Sequence, residues 1–349
     1  MLRLVWLMML VLAAGLSLPV QAEAARSRAQ AGKVVRAGAP AKAVKAAKAP
    51  ARKPRAAKAR VQRVKAAQAV RATSARHVVR VTRPRVRQHY RAATVQSDHP
   101  AALASNAVLI LDPATRVVLF EKNAESVMPI ASLTKLMTAL VVVEARQNMD
   151  EVIAITDADV DRVKHSTSRL RVGTRLARSA MLHLALMSSE NRAANALGRN
   201  YPGGAGAFVA AMNAKARSLG MTRTRYVEPT GLSSANVSTA GDLAKLVVAA
   251  QRHPLIREYS TDEDHTIQQA GHATPYHNSN RLISNDSWDI DLQKTGYISE
   301  AGRCMVLHTE IGGRDVVMVF LDSQGSMSRA ADANRVRAWL ASGHRSAQQ

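Results

Sequence analysis

The sequence predicts an α+β fold in which an antiparallel sheet, built from both ends of the globular part, encloses a helical middle. Three observations carry this expectation. Apolar runs broken by turn residues lie at 104–121 and again at 304–322, and helical periodicity fills the stretch between them. Neither end alone has enough strands to close a sheet, so the two must pair within one domain.

Residues 104–111 (ASNAVLIL) read as a strand, 112–115 (DPAT) as a turn and 116–121 (RVVLFE) as a second strand, together a hairpin. Residues 129–132 (PIAS) lead into a helix, in which Leu133, Leu136, Met137, Leu140 and Val141 recur at three-to-four spacing up to about Arg146. Residues 156–174 are polar and irregular. A second helix over 177–187 (ARSAMLHLALM) runs straight into Ser188-Ser189-Glu190-Asn191, and helical character resumes at 193–197. Residues 204–219 place Phe208, Met212 and Leu219 on one side of a helix that Gly220 ends. A turn at 229–231 precedes a helix at 240–250. The period then changes. Residues 289–293 lead into Lys294-Thr295-Gly296, and 304–310 and 315–322 form a hairpin about the turn at 311–314. A helix over 328–340, with Val336, Trp339 and Leu340 on its apolar side, closes the domain.

Charge divides the chain. Its 349 residues hold 49 Lys and Arg against 26 Asp and Glu, a formal charge of +23. Residues 25–95 account for 21 of the basic groups and no acidic one, whereas 96–349 hold 27 basic and 25 acidic groups. A uniformly basic domain is thereby excluded, and an aromatic fraction of 3% argues against base-stacking platforms. The tract at 25–97 is Ala/Lys/Arg-rich, is interrupted by Pro40, Pro50, Pro54 and Pro84, and is expected to be disordered. It reads either as a solvated spacer or as a contact for an anionic surface such as phospholipid headgroups or acidic wall polymer.

Residues 1–24 have the three parts of a secretory signal: Arg3, an uncharged apolar stretch from Leu4 to Leu18, and small-residue cleavage sites at Ala22 or Ala24. The mature protein is expected outside the cytoplasm, in the periplasm, free or peripherally associated, with no nucleic-acid partner. Residues 98–341 form the expected catalytic domain and 342–349 a flexible tail. Cys304 is the only cysteine, so no intramolecular disulfide forms; it reads as a buried strand thiol.

Three short motifs occur in order: Ser132-Leu-Thr-Lys135, Ser189-Glu-Asn191 and Lys294-Thr-Gly296. Each is weak alone, and their context strengthens them. Ser132 opens a helix, which puts Lys135 one turn on along the same face, within reach of the hydroxyl proton. A serine hydroxyl needs such activation, and the helix terminus adds a field that favours a developing oxyanion.

This set resembles the signature of serine penicillin-binding proteins and class A β-lactamases. The likeness is closest to low-molecular-weight penicillin-binding proteins, the D-alanyl-D-alanine carboxypeptidase/endopeptidase family, and to its endopeptidase branch. PIASLTKLMTAL at 129–140, AMNAKARSLGMTRTRYVEPTGL at 211–232 and KTGYISEAGRCMV at 294–306 carry it. It covers about 100–341 and implies a β-lactamase/transpeptidase-like fold; the basic tract has no counterpart in the family pattern.

The resemblance implies roles. Ser132 is the acylated nucleophile and Lys135, as a neutral amine, its general base. Ser189 relays protons to the leaving nitrogen, and Asn191 holds the substrate amide and orients Lys135. Lys294 and Thr295 meet the peptide carboxylate, and Gly296 keeps the strand edge free for substrate. The backbone amides of Ser132 and Tyr297 form the oxyanion hole. Peptidoglycan stem peptides and cross-links are the implied substrates and β-lactams the implied covalent inhibitors, with no cofactor and no metal.

Two features favour the endopeptidase over the carboxypeptidase. Tyr297 stands where many carboxypeptidases of the family have His, and the chain ends soon after Leu340, without the extra β domain and anchoring helix many of them carry. A class A β-lactamase, with Glu228 of EPTGL as the water-activating acid, and a non-catalytic wall-binding protein stay open as weaker alternatives. His183 reads as a packed histidine. His265, His272 and His277 beside Asp262, Glu263 and Asp264 match no compact zinc spacing. The segment 277–283 resembles the family's stretch before the third motif, where a new strand begins, and is expected to be structural or to line the groove.

Overall fold

The computed structural model describes residues 103–325 and 328–346. The expected signal peptide and basic tract, and residues 347–349 of the expected tail, lie outside the described residues. Strand β1 (Ser105–Leu111) turns at Asp112, whose Oδ1 accepts the backbone N–H groups of Ala114 and Thr115, into β2 (Val118–Lys122). Near the other end, β9 (Asp289–Ile298), β10 (Gly302–Ile311) and β11 (Arg314–Ser323) follow in sequence. The five-stranded antiparallel sheet runs β2-β1-β11-β10-β9, so the first and last strands of the domain pair at its centre.

Both faces of this sheet are covered, which is why its strands read as unbroken apolar runs. In β11, Val317, Val319 and Leu321 join the core under the helical middle, while Val316, Met318 and Phe320 pack with Val336 and Leu340. Those last two belong to the closing helix, which spans Ser328–Ser346 and so runs past the Leu340 end read from the sequence. The part of the expected tail up to Ser346 is therefore helical.

The helical middle comprises α1 (Thr134–Glu144), α2 (Arg178–Met187), α3 (Asn191–Arg199), α4 (Gly204–Ser218), α5 (Ala240–Ala250) and α6 (Pro254–Thr261). Helix α1 is its centre and is buried from Thr134 through Val142. Three short strand pairs complete it: β3 (Met128–Pro129) with β6 (Val237–Ser238), β4 (Val152–Ala154) with β5 (Arg175–Ala177), and β7 (Asp264–Gln269) with β8 (His272–His277). Helix α6 and the β7–β8 hairpin fall in a stretch to which the sequence reading assigned no helix or strand. Segment 277–283 is structural, built of turns. Asn278 and Asn280 accept the backbone N–H groups of Asn280 and Leu282, and these local turns hold the chain until β9 starts at Asp289. Among the described residues no helix is long and apolar enough to cross a membrane.

Candidate active site

Ser132 lies in a 3-10 turn, Ala131–Leu133, at the mouth of α1. The preceding Ala131 has φ of +48°, a left-handed conformation that costs a non-glycine residue about 1 kcal/mol or more and re-aims the chain before the serine. One turn on, Lys135 is fully buried, and its Nζ lies 2.8 Å from Ser132 Oγ, 2.7 Å from Asn191 Oδ1 and 2.7 Å from the Thr230 carbonyl. Burial lowers its pKa from 10.5 to about 8, against the opposing pull of the Glu228 and Glu190 carboxylates. The amine is thereby brought into the range where a neutral fraction exists near neutral pH.

The three motifs meet in one cavity of about 510 Å3, whose wall includes Ser132, Ser189, Asn191, Thr295, Gly296 and Tyr297. Ser189 sits at φ of +63° between α2 and α3, and its hydroxyl has no hydrogen-bond partner among the described residues. Asn191 opens α3 and its Nδ2 donates to Ser166 Oγ at 3.0 Å. Thr295 Oγ1 donates to Ser279 Oγ at 2.7 Å. Lys294 is buried, donates to the Thr295 carbonyl, and is held well below its ordinary pKa by burial and then by the neighbouring Lys135 and Arg329 cations.

Glycine at 296 has a reason beyond an open strand edge. A Cβ there would lie 3.0 Å from Ser132 N and 3.1 Å from the Ile130 carbonyl oxygen, so β9 approaches the nucleophile's own turn. Glu228 is not placed as a water-activating acid. Its two oxygens accept from Thr230 N and Oγ1, Gly231 N, Ser233 N and Asn236 Nδ2, and so it organises the loop that presents the Thr230 carbonyl to Lys135.

Several residues of the site carried no motif signal. Ser166, Ser279 and Arg329 reach the cavity from segments distant in sequence. Arg329 Nη1 donates to the Gly296 carbonyl at 2.8 Å, and at the rim Lys164 pairs with Glu300. Only Ser279 fell in a segment expected to line the groove. His183 is packed, as expected: it stacks on Tyr259 and its Nε2 lies 2.9 Å from Asp262 Oδ2. Among the described residues no group of three or more His, Cys, Asp or Glu could hold a metal ion.

The sequence profile of the peptidase S11 family, described as D-alanyl-D-alanine carboxypeptidase, matches residues 92–325. The chain belongs to this family. A D-alanyl-D-alanine endopeptidase of Pseudomonas aeruginosa is 49% identical over 69% of this chain and 78% of its own length. A D-alanyl-D-alanine endopeptidase of Escherichia coli is 44% identical over 72% of this chain and 82% of its own. Penicillin-binding protein D2 of Listeria monocytogenes, solved in its cefotaxime-bound form, superposes with a TM-score of 0.60 at 30% identity, covering 68% of this chain and 97% of that one. The fold is thus that of penicillin-binding proteins, and the S11 member described here is a serine hydrolase.

Proposed function

We propose that this S11 peptidase is a D-alanyl-D-alanine endopeptidase that opens peptidoglycan cross-links through an acyl-enzyme on Ser132. The observation that carries the reading is the lysine–serine contact: Nζ of a buried, easily neutralised Lys135 lies 2.8 Å from Ser132 Oγ. The neutral amine takes the hydroxyl proton as Oγ attacks the D-Ala carbonyl carbon. The backbone N–H groups of Ser132 and Tyr297 hold the resulting oxyanion. Ser189 passes the proton to the leaving nitrogen, which departs as an amine, and water then hydrolyses the ester. Asn191 holds the acyl amide, and Lys294 and Thr295 meet the carboxylate beside the scissile bond. The endopeptidase preference is supported by the names of the relatives at 44–49% identity. A carboxypeptidase is the second reading, favoured by the family's own description.

Residues 1–24 serve as an export signal in this reading, and the enzyme works in the periplasm. The basic tract at 25–95, with its 21 uncompensated cations, tethers it to an anionic surface. Fluorescent penicillin should label the protein covalently, and Ser132→Ala should abolish the label; an unlabelled intact protein sinks the acyl-enzyme. In a digest of purified muropeptides, loss of D-Ala-meso-diaminopimelate dimers marks the endopeptidase, and loss of terminal D-Ala alone marks the carboxypeptidase.

A further inference from the structure

A cavity of about 540 Å3 lies between β1, the end of α4 and α5, and shares no lining residue with the catalytic cavity. Strand β1 stands three places from β9 in the sheet, so at about 4.8 Å per strand it lies roughly 14 Å from the strand that borders Ser132. The volume is within the range of small-ligand pockets. Much of the wall is apolar: Leu109, Leu111, Leu219, Val248 and Ala249 border it, and all but Leu109 are only partly buried against the main core. Arg116, Lys245 and Arg252 also line it, and no Asp or Glu does. Lys245 is answered, since its Nζ donates to Asp242 Oδ1 at 2.9 Å and to the Gly220 carbonyl at 2.7 Å. Arg116 and Arg252 are exposed, and their side chains have no hydrogen-bond or ion-pair partner among the described residues.

Helix electrostatics accounts for part of this arrangement. The macrodipole of α5 stabilises a cation just past its last turn, which is where Arg252 stands. Arg116 comes instead from the turn between β1 and β2, which is no helix end. Half-buried apolar side chains around a concave site favour an apolar occupant, and two unanswered guanidiniums favour an anionic end on it. The basic tract of this chain does not suit the site, because its 21 cations would be repelled. A second copy does not suit it either, because a two-fold contact through the cavity would bring the same two arginines together from each side.

We infer that this cavity binds a single-chain fatty-acyl anion, with its alkyl chain against the Leu109, Leu219 and Val248 side chains and its carboxylate at Arg116 and Arg252. The site belongs to the folded domain and is remote from Ser132. It gives the domain a lipid contact that depends neither on the basic tract nor on the peptidase reading above.

The test uses the full chain and dansylaminoundecanoic acid, an acyl anion whose fluorescence rises in apolar sites, with all competitors below their micelle concentrations. The probe should bind saturably, and laurate should displace it. Methyl laurate, which lacks the charge, should compete roughly tenfold less well, as loss of a close charge pair does. Caprylate, with a shorter chain, should also compete at least roughly tenfold less well. In the Arg116→Gln/Arg252→Gln variant, laurate should fall to the level of methyl laurate. This variant keeps the basic tract, so any probe held by the tract is the same in both proteins. Both arginines are exposed and lie outside the catalytic cavity, so penicillin labelling of the variant should match that of the unmodified protein. No saturable binding, equal competition by laurate and methyl laurate, or an unchanged preference in the folded variant overturns the site. Displacement of the probe by an acidic amphipathic peptide or by phosphatidylglycerol vesicles, but not by laurate, overturns it too, since the cavity would then serve a protein partner or a bilayer.

Discussion

The carbonyl oxygen of Ala131 occupies the space that any side chain at position 231 would need: a Cβ built on Gly231 falls 1.9 Å from it. Gly231 itself has φ of +84°, a conformation disfavoured for every other residue. Two constraints therefore meet where the loop after Glu228 presses on the turn that carries Ser132.

Gly231→Ala should destabilise the domain by about 2–4 kcal/mol, through strain at a left-handed position and overpacking of backbone. It should also slow acylation more than the stability loss explains, since the atoms displaced adjoin Ser132. Urea unfolding and the rate of penicillin labelling at low temperature read the two effects. A variant with normal stability and normal labelling would refute the contact.

Acylation should rise with pH through the titration of Lys135. The reactive form is the neutral amine, and with a pKa of about 8 roughly a tenth is neutral at pH 7. Labelling rates should therefore climb between pH 6.5 and about 8 and level off above it. The same shift has a stability consequence. The folded pKa lies below the unfolded value of 10.5, so the unfolded chain binds more protons between about 8 and 10.5, and this group makes stability increase with pH there. A labelling rate flat across pH 6–9 would remove Lys135 from the role of base.

Asp332, buried in the closing helix, accepts from Ala104 N at 3.0 Å, from Ser105 N at 2.8 Å and from Ser105 Oγ at 2.7 Å. It ties the last helix to the first strand across more than 220 residues of chain. Asp332→Ala leaves those donors unpaired and should cost about 2–3 kcal/mol. Ser105→Ala removes one donor and should cost about 1 kcal/mol. Calorimetry of the two variants measures both, and a loss under about 0.5 kcal/mol for Asp332→Ala would show the tie to be dispensable.

Cys304 is fully buried in β10, and burial pushes its thiol up to about 11. Iodoacetamide at pH 7.5 should leave it unmodified in the native protein and alkylate it once urea is present. Native-state alkylation on the timescale of a free thiol would contradict its placement in the sheet.

Much of the fold was legible from periodicity. The helix at 240–250 and the strands at 105–111 and 302–311 follow from apolar spacing, because both faces of the sheet and most of α1 are buried by other elements. The β7–β8 hairpin was not legible. Its strands are short and rich in His, Gln and Thr, and the turn at Ala270-Gly271, both at positive φ, only makes sense once the pairing of Asp264 with His277 is known. Segment 277–283 was expected to be structural or to line the groove, and it helps build the groove through Ser279 while a series of asparagine turns holds it.

The sequence by itself determined the separation of a basic tract from a near-neutral remainder, the expectation that both ends of the globular part share one sheet, and the three motifs that hold Ser132, Lys135, Ser189, Asn191 and Lys294. Each follows from composition, period or motif, and those are local properties of the chain. The lysine's readiness to act was decided by tertiary structure alone. Lys135 titrates near 8 because the fold buries it, with Asn191 and the Thr230 carbonyl brought against its amine from 56 and 95 residues away. Desolvation depends on what packs around a charge, and no spacing of letters along the chain carries that.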